Sequence, residues 1–120
     1  GYYDAYYKKA CQVRRMIRDG FTKAFESCDI IVGPVCSTAA FKLGSRIKEP
    51  LKMYKHDIYT ASTNLAGLPG MSVPAGFTAG GMPIGVQIIA PDFKEQDMLN
   101  AGFAIEQNVE LKERFADVVR

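Results

Sequence analysis

The chain has 120 residues, of which 48% are hydrophobic and 23% are charged, and its formal net charge is +2 at pH 7. This length and composition are typical of one globular domain and exclude disordered and fibrous proteins. The small net charge gives no argument for binding to a phosphate backbone, and the apolar runs fall far short of the roughly 18 residues that predict a membrane span.

The first predicted element is one long amphipathic helix from Tyr3 to about Cys28, where apolar residues recur every third or fourth position between charged ones. Glycine in a helix interior costs about 1 kcal/mol relative to alanine, so two helices that meet at Gly20 remain an alternative. Because the pattern is already under way at Tyr3 and the first residue is Gly1 rather than methionine, we expect the chain to begin partway through a larger protein.

A short run rich in β-branched residues follows at 29–34 and predicts a strand that is buried on both faces. A helix that leads into a buried strand indicates an α/β sheet. The next residues, up to about Pro50, have prolines, Gly44 and hydroxyl side chains without periodicity. We therefore predict a loop that crosses the end of the sheet, where open α/β sheets often carry their active-site segments.

The second half of the chain predicts a helix and a hairpin. A helical pattern from about Met53 to Leu65 stops at the glycine and proline residues of 67–70. Residues 71–73 and 84–90 are predicted strands, and the glycine-rich stretch 79–83 between them makes an antiparallel hairpin the simplest connection.

A last helix is predicted to pack on the sheet. Asp92 and Glu95 have the spacing of a capping box, with aspartate in the position that serine or threonine usually takes, and apolar residues on one helical face follow them. Since the sequence has no repeat and no linker, we predict a single domain over residues 1–120.

The sequence contains no complete reaction centre: it has no G-x-S-x-G, H-E-x-x-H, Walker or G-x-G-x-x-G motif. The single histidine, His56, lies among charged neighbours, and an exposed residue of a helix surface is its favoured interpretation over a catalytic base. Cys36 is a weak candidate nucleophile, because neither a helix start nor a cation is evident near it.

The cysteines bear on the redox environment. Cys11, Cys28 and Cys36 are an odd number without C-x-x-C spacing. This usage is typical of a reduced cytosolic protein with small buried thiols, so a disulfide framework and a zinc site are not expected.

Asp57 is the most informative polar residue, since a carboxylate one turn into a helix at the edge of a sheet can hold an ammonium group. The alternative is a solvated aspartate that pairs with Lys52 or Lys55, and the residues alone favour this alternative.

Three arginines, Arg14, Arg15 and Arg18, lie close together on the first helix. They indicate first the solvated face of that helix, and only second an interface or RNA contact.

Several segments, in this order, resemble the amidase-signature family and within it the tRNA-dependent amidotransferases. The segments are Gly1–Ala10, Gln12–Arg14, Ile31–Pro34, Asn64–Gly70 and Gly81–Gln87. Asn-Leu-Ala-Gly-Leu-Pro and Pro-Ile-Gly-Val-Gln are typical of the whole family, whereas the opening block and Asp57–Thr60 are typical of the tRNA-dependent branch. The likeness extends from Gly1 to about Gln107.

The resemblance implies an α/β/α fold in which helices flank a mixed β-sheet, with this chain as the C-terminal segment of one incomplete domain. In the family, a catalytic lysine, a cis-serine and a nucleophilic serine precede this segment, so none of the catalytic residues is expected here and the segment alone is expected to be inactive. The serine attacks the side-chain amide of glutamine, and backbone N–H groups stabilise the oxyanion.

The resemblance also implies partners. Ammonia passes to a B subunit that activates glutamate on Glu-tRNA(Gln) with ATP and magnesium, within a cytoplasmic heterotrimer whose third member is a C subunit. No cofactor, metal or membrane contact is expected in this segment, and the tRNA is expected to be held mainly by the B subunit. Asp57 matches the acidic residue that holds the α-amino group of the substrate glutamine, while the arginine for the α-carboxylate precedes Gly1 in family order.

The sequence departs from the family pattern at Val35–Ser37, where small and proline residues are usual, and after Gln107, where nothing matches. Two alternatives stay open. A general amidase that acts on neutral amides has no use for a carboxylate at Asp57. A free-standing interaction module without chemistry is favoured only if a natural reading frame starts just before Gly1.

Overall fold

The computed structural model describes Gly1, residues 3–44, residues 54–109 and Leu111. The elements in chain order are a π-helical turn Tyr3–Tyr7, α1 Lys8–Ala24, β1 Ile31–Pro34, α2 Ile58–Ala66, β2 Gly70–Phe77, β3 Pro83–Ile89 and α3 Glu95–Asn108. Within these ranges, no helix combines the length and the apolar character that crossing a membrane requires. The predicted tail beyond Leu111 and the loop residues 45–50 lie outside the described part.

Helix α1 is continuous through Gly20, so the alternative of two helices that meet there is wrong. The helix ends at Ala24, four residues before the predicted end near Cys28. Ser27 Oγ and Cys28 Sγ both donate hydrogen bonds to the carbonyl oxygen of Ala24, at 3.0 and 3.4 Å. The same carbonyl accepts a hydrogen bond from the backbone N–H of Ser27 at 3.1 Å, so backbone and side chains together stabilise the end of the helix at this point.

The described strands form a three-stranded sheet in the order β1–β3–β2, and both pairings are antiparallel. The predicted hairpin of β2 and β3 is confirmed, with Met71 opposite Ile88 and Val73 opposite Val86. Strand β2 is longer than predicted, because it continues through Pro74 into a bulge before Gly76.

Strand β1 is confirmed as a strand, but the prediction that both of its faces are buried is wrong. Val32 is 51% exposed, and the alternate residues Ile31 and Gly33 are half-buried. The reason is position: β1 lies at an edge of the described sheet, where only one of its faces is covered.

Helix α2 ends as predicted, at a glycine stop signal. Gly67 adopts a left-handed conformation with φ of 68°, and its N–H donates to the carbonyl of Asn64. Glycine takes this conformation without the steric penalty of a Cβ atom. The helix begins at Ile58. The helix predicted from about Met53 is wrong at residues 55–57, which form a turn, and Met53 itself lies outside the described residues.

Helices cover both faces of the sheet, so the predicted α/β/α arrangement is confirmed. On one face, α3 packs on β2 closely enough that a Cβ atom on Gly102 would lie 2.7 Å from Met71 Cε. That face carries the apolar core, which consists of Val73, Ile88, Ala90 and Met98. Side chains alternate between faces along a strand, so Gln87, whose Nε2 donates to the carbonyl of Tyr59 at 3.0 Å, points towards α2 on the opposite face.

The predicted capping box of α3 is wrong. The residue that precedes the helix is Lys94, and no side chain caps the first turn. Asp92 instead forms an ion pair with Arg18, which lies 74 residues earlier in α1. In the folded chain the carboxylate of Asp92 therefore pairs with Arg18 and does not cap α3 as its local spacing had predicted.

The arginines of α1 hold the C-terminal end of α2. Arg14 Nε donates to the carbonyl of Leu65 at 2.7 Å, and Arg18 Nη1 donates to the carbonyl of Ala66 at 2.8 Å. Cations at this end of a helix are favoured by the helix dipole. Arg14 and Arg15 are exposed, as the favoured interpretation of a solvated face predicts, and Arg15 pairs with Asp19 four residues later. Arg18 departs from that interpretation, because it is half-buried.

Candidate functional site

A cleft of about 750 Å³ opens on the α2 side of the sheet, where β1 ends and β2 bulges. Its walls come from four separate parts of the chain: residues 35–41, residues 56–57, residues 72–74 with Thr78, and residues 83–85. This volume lies in the range of sites that hold small molecules.

The loop after β1 forms one wall because it lies directly on the sheet. Val35 N–H donates to the carbonyl of Gly85 at 3.4 Å. A Cβ atom on Gly85 would lie 3.3 Å from Val35 Cγ2, so a glycine at this position permits the close approach. The predicted course of the loop across the sheet is confirmed as far as the described residues extend.

Asp57 lies at the position just before α2 and lines the cleft. Its backbone carbonyl accepts the hydrogen bond from Ala61 N–H at 2.8 Å, which starts the helix, while its side chain makes no capping hydrogen bond. In the described ranges it forms no ion pair with Lys55, and Lys52 lies outside them. The exposed carboxylate is thus positioned to accept hydrogen bonds from a ligand cation.

Cys36 and His56 lie together in the same cleft. Cys36 Sγ is 3.0 Å from His56 Nδ1 and 3.3 Å from the carbonyl oxygen of His56. The imidazole also contacts the ring of Phe41, with 5.0 Å between centroids. The favoured interpretation of His56 as an exposed helix residue is therefore wrong: it is half-buried, in the turn before α2.

Sequence reasoning considered this thiol and this imidazole separately and missed the pair. The two residues are 20 positions apart, and no local periodicity or spacing links them. They meet because the loop after β1 folds back onto the turn that precedes α2, and only the tertiary fold brings these segments together.

All three cysteines are free thiols, and the expectation that they are buried is wrong. Cys11 and Cys28 are exposed on and after α1, and Cys36 is half-buried. Across the described residues, no three histidine, cysteine, aspartate or glutamate side chains gather in a way that could hold a metal ion.

The chemical character of the cleft is that of a binding site. Beside the carboxylate of Asp57 it offers small hydroxyl side chains on an apolar wall. Ser37 Oγ donates to the backbone carbonyl of Lys55 at 3.3 Å. The arrangement suits a small ligand with a cationic group placed at Asp57.

Comparison with known proteins places these features in a family context. The model of the amidase family matches residues 1–99. The A subunit of glutamyl-tRNA(Gln) amidotransferase from Desulfosudis oleivorans is 57% identical over 111 residues, which are 92% of this chain and 23% of that protein. The crystal structure of the same enzyme's A subunit from Thermotoga maritima superposes with a TM-score of 0.84 at 43% identity, over 93% of this chain and 24% of that one.

A more distant likeness concerns the fold alone. The structure of 6-aminohexanoate cyclic dimer hydrolase superposes with a TM-score of 0.76 at 23% identity, over 89% of this chain and 25% of that one. The chain therefore spans about a quarter of the length of the relatives and structures that it matches.

Proposed function

Because this chain belongs to the amidase family, we propose that it is part of the glutamine-hydrolysing subunit of a glutamyl-tRNA(Gln) amidotransferase. The likeness to A-subunit proteins of that enzyme, along nine-tenths of the chain, supports the proposal. The observation that carries it is the position of Asp57, an anionic side chain at the wall of a cleft of small-molecule size.

In this proposal, Asp57 binds the α-ammonium group of glutamine. An α-ammonium group distinguishes an amino acid from a simple amide, so a carboxylate at this position selects the substrate by charge. The helix dipole favours a negative charge at the start of α2, which is where Asp57 lies.

The remaining steps fall to residues outside this chain. A serine nucleophile with its lysine would release ammonia from glutamine, and the ammonia would pass to a B subunit that uses ATP and magnesium to activate Glu-tRNA(Gln). The chain would then be a C-terminal segment of one incomplete domain in a cytoplasmic heterotrimer with B and C subunits. Alone, it is expected to be inactive.

The test is the substitution Asp57→Asn in the full-length protein, with kcat/KM measured on glutamine and on a simple amide that lacks the α-amino group. We expect activity on glutamine to fall by about two orders of magnitude, equivalent to roughly 3 kcal/mol of lost charged contact, while the simple amide is spared. Asp29→Asn is the matched control, because Asp29 is an exposed aspartate outside the cleft lining.

Two outcomes contradict the proposal. Equal losses on both substrates would show that Asp57 supports the fold or the chemistry in general rather than recognition of the ammonium group. Unchanged activity on both would make Asp57 a solvated residue and favour the general amidase that acts on neutral amides.

A further inference from the structure

The cleft holds a nucleophile and a base that glutamine recognition by Asp57 does not use. Cys36 Sγ lies 3.0 Å from His56 Nδ1, and both side chains line the cleft. A thiol becomes a stronger nucleophile when an adjacent imidazole takes its proton or donates a hydrogen bond to the thiolate. In the tautomer that leaves Nδ1 without a proton, His56 is positioned to take the proton of Cys36.

We propose that Cys36 is a modification site for low-molecular-weight disulfides of the glutathione type. The thiolate of Cys36 attacks one sulfur of the disulfide, a new S–S bond forms to Cys36, and the S–S bond of the reagent breaks. His56 takes the proton of Cys36, and the departing thiolate is protonated in turn. The reagent supplies the oxidising equivalent, so one protein thiol and one disulfide give one mixed disulfide and one free thiol.

The surroundings separate Cys36 from the other cysteines. Cys28 is exposed, and its sulfur contacts only the backbone carbonyl of Ala24 at 3.4 Å among the hydrogen-bond partners described. Cys11 lies on the exposed surface of α1. Access alone therefore favours reaction at Cys11 and Cys28, whereas activation by an imidazole favours Cys36.

The cleft also has room for the attached group. Its volume of about 750 Å³ adjoins the sulfur of Cys36, and the apolar wall of residues 83–85 faces the same space. The modification would fill the cleft beside Asp57 and would be reversed by a reducing thiol.

The experiment follows the reaction of the full-length protein with oxidised glutathione at pH 7, read by peptide mass spectrometry over time. Trypsin leaves Cys28 and Cys36 on one peptide. A second protease that cleaves before aspartate cuts this peptide between Cys28 and Asp29, so the modification of each thiol is measured separately. We expect Cys36 to react about tenfold faster than Cys11 or Cys28. We expect His56→Asn to lower the Cys36 rate at least tenfold, because the base that takes the proton of the thiol is lost.

The matched control in the same samples is Cys28, whose rate should not change in His56→Asn. A Cys36 that reacts no faster than Cys28, or a Cys36 rate that His56→Asn leaves unchanged, would overturn the proposal. If His56→Asn does not fold, the proposal is tested by the relative reaction rates of the three thiols in the unsubstituted protein. No glutamine enters the measurement, so its outcome is separate from that of the proposed function.

Discussion

At the scale of single residues, Arg18 connects more of the structure than any local pattern indicated. Its guanidinium donates to the last carbonyl of α2 at Ala66 and pairs with Asp92 in the turn before α3. One side chain thus joins the first, second and last helices. Its side chain is only 39% exposed, so water replaces these contacts incompletely.

We expect Arg18→Met to lower the free energy of unfolding by about 1.5–3 kcal/mol, because a hydrogen bond to a charged group is lost while the carbonyl of Ala66 is left without its partner. Methionine keeps the apolar stem of the side chain, so the loss reports the polar contacts. The measurement is the urea midpoint and slope of the full-length protein, compared with the unsubstituted chain.

Arg15→Met is the matched control. Arg15 pairs with Asp19 on the open surface of α1, and an exposed pair of this spacing is worth about 0.3–0.5 kcal/mol. Equal losses for the two substitutions would mean that the contacts of Arg18 do not stabilise the fold.

The sequence predicted the place of Asp57 only in part. Asp57 was expected one turn into a helix at the edge of the sheet, whereas the structure places it just before α2, in the cleft lining. Its role in binding stays a prediction. Asp92 was predicted to cap a helix and pairs with Arg18 instead. Local spacing could not predict this pair, because Arg18 is distant in sequence.

At the scale of elements, the structures that depend on local chemistry were predictable. The glycine stop of α2 and the hairpin of β2 and β3 follow from turn residues and apolar periodicity. The α/β/α layers were implied by the resemblance to the amidase-signature family. What depends on distant neighbours was not predictable. The exposure of β1 depends on its place at the sheet edge, and the pairing of Cys36 with His56 depends on where a long loop returns.

The same substitution should have opposite effects in two helices. Gly67→Ala should destabilise the protein by about 1 kcal/mol, since alanine tolerates the positive φ at the end of α2 poorly. Gly20→Ala should stabilise it by about 0.5–1 kcal/mol, because Gly20 lies inside α1 with open space where the Cβ would go.

Thermal unfolding of the two variants beside the unsubstituted protein measures both shifts in one series. A stabilised Gly67→Ala would contradict the role of the left-handed end in stopping α2. A destabilised Gly20→Ala would mean that the glycine in α1 is required by a contact outside the described residues.

At the scale of the whole molecule, the buried apolar core is small and the exposed apolar surface is large. The buried cluster centres on Ile88, whose side chain is fully buried on the central strand. Large apolar side chains are exposed on every layer, among them Tyr3, Tyr6, Tyr7, Met16, Leu43, Phe93 and Phe103. Surfaces of this kind mark contacts with further protein.

We therefore expect the isolated 120-residue chain to self-associate, because association removes this apolar surface from water. Size-exclusion chromatography with light scattering over a range of concentrations measures the effect. A stable monomer at all concentrations would contradict the expectation, and the full-length protein is the control in which the surface should be covered.

The prolines of the sheet determine the form that such association takes. Both outer strands of the described sheet contain one, Pro34 in β1 and Pro74 in β2 beside the bulge. Proline has no N–H to donate to an added strand, and a bulge bends the edge away from a flat template. The chain should therefore associate through side-chain surfaces into soluble oligomers rather than extend its sheet into fibrils.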